Sequence, residues 1–150
     1  MEWNRSCRYF LAKPDWAIHS AEFIRGGDPD MALMAIAVPI LPGKTEQWRR
    51  FVGELNGPRR VAYQASRRSL GIHERAFLQS TPQGDVVVVT LEGANPEEAF
   101  RQLGSGSDEF SRWFVQQVRE IHGMDLSQPA QWPIPELGLD SEMKIERKAA

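Results

Sequence analysis

Cys7 is the only cysteine among the 150 residues. One thiol cannot close an intramolecular disulfide or build a cysteine-rich metal site, so a reducing compartment is the expected setting. Long apolar runs are also missing. The longest, Met31 to Leu41, is about half of a membrane span, and Arg5 and Arg8 near the N-terminus are not followed by the apolar core of a signal peptide. Charge of one sign is equally scarce: 18 basic and 20 acidic residues mix to a formal net charge of -2, a field suited neither to nucleic acid nor to an anionic membrane. The one basic cluster, Arg59, Arg60, Arg67 and Arg68, has Glu46 and Glu54 nearby in sequence. Gly104-Ser105-Gly106-Ser107 lacks the lysine and the preceding strand of a phosphate loop, and neither serine sits in a G-x-S-x-G elbow. The absences leave a cytoplasmic, soluble chain, expected to engage neither nucleic acid nor membrane, with no metal site and no cofactor predicted.

At this length one domain is expected, burying about 70% of the surface that its unfolded chain exposes. Residues 1 to 30 look unlike the rest. Their aromatics (Trp3, Tyr9, Phe10, Trp16, Phe23) follow no clean period and end at Gly26-Gly27-Asp28-Pro29-Asp30. Either they form an N-terminal arm with a short helix from about Asp15 to Ile24, or Met31 is the natural start and they are an extension. From Met31 the pattern is regular. Leu33 to Val38 reads as a strand apolar on both faces, ended by Pro39 and Pro42-Gly43. Thr45 suits an N-cap, with Trp48, Phe51, Val52 and Leu55 at helical spacing, and a second helical segment runs from Pro58 to about Ser69. Arg75 to Thr81 and Val86 to Glu92 form a hairpin across a loop of four or five residues. Asn95 and Pro96 open a short helix, and Phe110, Trp113, Phe114, Gln117, Val118 and Ile121 mark the clearest amphipathic helix, stopped by Gly123. A short edge strand near Ile134 to Leu139 would complete the order, and residues 139 to 150 read as a flexible tail.

Two of these helical regions end in a histidine close to a glycine: Gly71-Ile72-His73-Glu74 and Ile121-His122-Gly123-Met124-Asp125. This repetition, with a hairpin between, suggests two βα-type halves. The order βαββαβ is that of a ferredoxin-like sandwich, an α+β fold with an antiparallel sheet and helices on one face. Val86-Val87-Val88-Val89 and the first strand are apolar on both faces, so the second face requires a cover. The candidate covers are the two terminal arms or a second copy of the sheet, and a second copy, packed sheet to sheet, is the preferred one.

The string Ser66 to Glu74, then Gln79, Pro82-Gln83-Gly84-Asp85, the valine strand, and Phe110-x-x-Trp113-Phe114 with Ile121-His122-Gly123-x-Asp125 resembles an uncharacterised bacterial family of the dimeric α/β-barrel superfamily. The resemblance spans residues 31 to about 138. It implies a ferredoxin-like protomer and a homodimeric barrel, and no particular reaction.

Candidate chemistry gathers at few positions. His73 and Glu74 are candidate acid and base at a cavity mouth. The competing reading is a helix C-cap in which Glu74 pairs with Arg67 or Arg68. His122 is a third catalytic candidate, because some barrel relatives bind haem through histidine or oxidise aromatic substrates. Against this, His122-Gly123 reads as a cap, no second histidine lies at metal spacing, and Trp113 points away from it. Arg67, Glu74, Gln79 and Tyr63 are the candidate ligand-binding residues. Gln79 shares a strand face with Arg75, Phe77 and Thr81, a mixture of aromatic and polar groups typical of a pocket. Arg67, Glu74 and Gln79 converging without satisfying one another would point to a ligand, whereas a protein partner for each would point to structure. Three functions follow: a homodimer holding a small aromatic or apolar ligand in its barrel, a non-catalytic assembly dimer with partner-binding arms, and a haem-binding or cofactor-free monooxygenase-like enzyme.

Overall fold

Alternation along the first strand decides which way the sheet faces. In a computed structural model, which describes residues 31–142, β1 (Ala32–Pro39) buries Met34 and Val38 and half-buries Ile36, while Leu33, Ala35 and Ala37 face the other way. The expected N-terminal arm, residues 1 to 30, and residues 143 to 150 of the expected tail lie outside the described residues.

Two helices follow, α1 (Thr45–Asn56) and α2 (Arg60–Ser69), and α1 buries Trp48, Phe51 and Leu55 as their spacing requires. Thr45 is not the cap that its position suggests. It is the first helical residue, and its Oγ1 donates instead to Asp85 Oδ2 at 2.6 Å. That bond is the main reason the Asp85 carboxyl titrates below its usual range. From α2 only Arg67 is buried.

β2 (Ile72–Thr81) and β3 (Gly84–Gly93) are longer than expected, and Thr81 pairs with Gly84 across a turn of only two residues, Pro82-Gln83. Thr81 secures the turn: its Oγ1 donates to the Gly84 carbonyl at 2.7 Å and accepts from the Gln83 N–H at 3.2 Å. Gly84 adopts φ 124°, a value side chains resist, so the tight turn depends on glycine there.

The sheet is antiparallel in the order β1-β3-β2. β3 is therefore central, which accounts for its valine run. On one face Val87 and Leu91 join Met34, Val38 and Ile72 in a core shared with all the helices. Of these, α3 (Pro96–Gln102) starts as expected: Asn95 Oδ1 accepts from the Glu98 N–H at 3.1 Å. The longest, α4 (Glu109–His122), is capped by Asp108 and buries Phe110, Phe114, Val118 and Ile121. Gly123 ends it at φ 69°, the left-handed stop that its position predicts. The glycine- and serine-rich segment Gly104 to Ser107 is packed at its first residue, where a Cβ would overlap the Leu126 carbonyl.

The final strand is absent. After a 3-10 turn at Pro129–Gln131, Ile134 to Gly138 run beside Ala32 to Ala35 of β1, where a fourth strand would pair, yet residues 133–140 carry no strand. Pro133 and Pro135 have no N–H to donate to the ladder. The described fold is thus α+β, with three antiparallel strands and four α-helices, rather than the full βαββαβ order. Among the described residues no helix is long and apolar enough to cross a membrane. The outer sheet face carries Leu33, 62% exposed, and Phe77, 54% exposed.

Candidate functional site

Between helices and sheet the packing leaves a cavity of about 280 Å³. Ile36, Val38, Val87, Val89 and Leu91 form its sheet wall, and Trp48, Phe51, Leu55, Phe114 and Val118 its helix wall. Such a void is about twice the size of one that takes a benzene ring in an engineered core. Its walls are mostly apolar. The polar side chains on them include Tyr63 and Glu74, in sequence order from α2 and β2, and His122 from the end of α4.

Glu74 reaches the cavity because strand alternation puts even-numbered β2 residues on the helix side. Its Oε2 accepts a hydrogen bond from Arg67 Nε, and both side chains are nearly sequestered, 6% and 11% exposed for Arg67 and Glu74. Arg67 Nη1 donates to Ser66 Oγ at 3.0 Å, while Nη2 is buried with no hydrogen-bond partner among the described residues. The guanidinium lies over two rings, 4.5 Å from the Phe114 centroid and 4.9 Å from that of Tyr63. Cation–π attraction to these faces offsets part of the burial cost of the charge. Tyr63 and Arg67 meet because they are four residues apart on α2. Burial, then the negative charge of Glu74, pushes the Tyr63 hydroxyl up to about 12. Tyr63 is therefore neutral at physiological pH.

His122 sits at the other end. Its Nδ1 lies 2.9 Å from the Pro39 carbonyl oxygen. A carbonyl cannot donate, so Nδ1 carries the proton and the neutral ring keeps Nε2 as an acceptor. His122 also borders a second void of about 280 Å³, closed by Trp132 to Pro135. That strap is tied down by Trp132 Nε1, which donates to the Asp125 carbonyl at 3.2 Å.

The histidine supplies a test by pH. Burial lowers its pKa from 6.5, and the Pro39 bond opposes the shift without cancelling it. Over the interval between the two values the unfolded chain binds more protons, so folding loses stability as pH falls. The contribution of His122 is complete above about pH 6.5 and declines below it. Urea denaturation should show a midpoint that drops between about pH 7.5 and pH 5.5, and a flatter profile in His122→Asn, which keeps a donor for Pro39 and does not titrate.

Several expected pairings fail. His73 and Glu74 are consecutive in β2 and project to opposite faces, so they cannot act together as acid and base; His73 is exposed on the outer face. Gln79 also projects outward, level with Val86 of β3, and does not converge with Arg67 and Glu74. The structure brings together Tyr63, Arg67 and Glu74, with Glu74 paired as the competing structural reading anticipates. Trp113 packs on Phe51 at 5.5 Å between ring centroids, and Arg59 lies 4.2 Å over it. Asn56 and Trp48 also line the cavity and were not among the candidates. Their helical spacing marks them as core or cap, and nothing in spacing reveals that a core is incompletely filled. Among the described residues no group of three or more His, Cys, Asp or Glu could hold a metal ion.

No protein-family model, curated protein or solved structure matches this chain. The functional reading therefore rests on the cavity and the two sheet faces.

Proposed function

We propose that this domain is a ferredoxin-like protomer that pairs sheet to sheet into a homodimeric α/β barrel and holds a small aromatic or otherwise apolar molecule between its helices and its sheet. The observation that carries the ligand half is the cavity itself: about 280 Å³ of mostly apolar space with the side chains of Glu74, Tyr63 and His122 on its wall. Ligand sites are concave, mainly apolar and supplied with a few fixed polar groups. A thermal-shift screen of one- and two-ring aromatic compounds tests it. Any that binds should stabilise the protein by about 2.7 kcal/mol at ~100 times its dissociation constant. Failure of every such compound to shift the midpoint would count against a ligand cavity.

The dimer half is favoured by the outer face. In the β1-β3-β2 register, Ala37, Val88 and Phe77 form one apolar row across the sheet, with Leu33 on the same side. The alanines keep the surface low, and burying a phenylalanine or valine side chain contributes about 1.5–3 kcal/mol. The Arg75–Glu92 ion pair, 2.9 Å, borders the row. Sedimentation or light scattering should give twice the 17.0 kDa chain mass. Phe77→Glu should return a monomer with an unchanged circular dichroism spectrum, because Phe77 is 54% exposed and contributes little to the inner core.

A further inference from the structure

We infer that the cavity selects a neutral hydrogen-bond donor carried on an apolar frame, a phenol or an alcohol, over a carboxylic acid or an amine of the same shape. This inference rests on the ligand-binding reading above and adds the chemistry of the ligand.

Three observations converge on it. Glu74 lines the cavity, whereas its partner Arg67 does not reach the wall and is held over Tyr63 and Phe114. The charge that the cavity meets directly is therefore the carboxylate, an acceptor, while the pair as a whole is neutral. At the other end His122 spends its Nδ1–H on the Pro39 carbonyl, so that its remaining nitrogen is also an acceptor. Finally, among the described residues no arginine or lysine lines the cavity.

The two acceptors lie towards different ends of the sheet. Glu74 is level with Leu91, and Pro39, which anchors His122, is level with Val86. Five residues of strand separate those levels, about 17 Å between backbone positions before the side chains reach inward.

An anionic ligand would place its charge beside Glu74 with no cation among the described wall residues to meet it, and would lose its hydration shell on entry. An ammonium would bring a second cation to a carboxylate that Arg67 already neutralises. A neutral hydroxyl incurs neither cost. It donates to Glu74 or to His122, beside a Tyr63 hydroxyl that stays neutral up to about pH 12. A hydrogen bond to a charged group corresponds to about tenfold or more in affinity.

Calorimetric titration of the full chain at about pH 7 with naphthalene, 2-naphthol, 2-naphthoate and 2-naphthylmethylammonium tests the ranking. The two-ring frame suits a void about twice that needed for benzene. Expected is 2-naphthol binding about tenfold or more tightly than each of the other three, with the advantage over naphthalene reduced in Glu74→Gln. The wild-type ranking stands by itself if Glu74→Gln fails to fold. Naphthalene binding as tightly as 2-naphthol, or naphthoate or the ammonium binding as tightly or more so, overturns the donor selection and leaves the ligand cavity standing. No binding by any of the four overturns the cavity, and the inference with it.

Discussion

Replacing Arg67 by methionine is expected to destabilise the domain by about 3–5 kcal/mol, a fall in Tm of more than about 10 °C for a domain of this size. The substitution retains much of the apolar stem that packs against Tyr63 and Phe114 but removes the buried guanidinium that donates to the Glu74 carboxylate. A buried carboxylate without a partner either remains charged at a high desolvation cost or takes up a proton, and both weaken the native state. Because the arginine and glutamate side chains are only 6% and 11% exposed, water cannot screen the loss. The double variant Arg67→Met with Glu74→Leu should recover most of the stability, since replacing a buried pair by apolar side chains is often neutral or stabilising. Denaturant unfolding of the two single variants and the double variant checks this. Equal, small effects from both single variants would show that the pair is solvated in solution.

Leu91→Ala is the second large effect. Leu91 is 0% exposed, lies towards the C-terminal end of the central strand β3 between Met34 of β1 and Glu74 of β2, and forms part of the cavity wall. A leucine truncated at such a site costs about 2–5 kcal/mol, the upper end applying where the surroundings cannot collapse. Collapse is hindered here because the sheet ladders fix Leu91 on both sides. The void grows, so the variant should accept a larger aromatic ligand than the native protein. Saturation with that ligand should restore part of the lost stability, by about 2.7 kcal/mol at ~100 times its dissociation constant. Equilibrium unfolding with and without ligand measures both quantities. A loss below about 1 kcal/mol would indicate a core able to repack around the deletion.

The elements best foreseen from the chain are those with a local cause. The Phe110 to Ile121 stripe and Gly123 define α4 at both ends of its logic, burial and stop. Asn95-Pro96 likewise opens α3, where a side-chain acceptor meets a free backbone N–H. Elements that depend on distant partners were harder to read. Thr45 looks like a cap but is diverted to Asp85, forty residues away, and the β2-β3 turn is shorter than its Pro-Gln-Gly-Asp string suggests because Thr81 holds it. The missing fourth strand was legible in its prolines, yet the ferredoxin-like order argued for placing one there.

At the site, the parity of residue numbers carries more information than proximity. Positions 73 and 79 are odd and 74 is even, so a strand through all three must separate His73 and Gln79 from Glu74. The Arg67–Glu74 pair was legible as an alternative to catalysis, and Tyr63 follows from its i to i+4 relation to Arg67. The cavity was not legible. Whether Trp48, Phe114 and Val118 fill the space above Val87 and Val89 depends on the angles between helices and sheet, which hydrophobic spacing does not encode.

The most direct measurement is the methyl NMR spectrum of the chain titrated with 2-naphthol. Val87, Val89, Leu91 and Val118 line the cavity, whereas Leu33, Val86 and Val88 belong to the outer sheet face proposed to meet a second copy. Binding between helices and sheet predicts shifts concentrated in the first group, with the second group unmoved. Shifts confined to Leu33, Val86 and Val88, or no shifts at all, would contradict it.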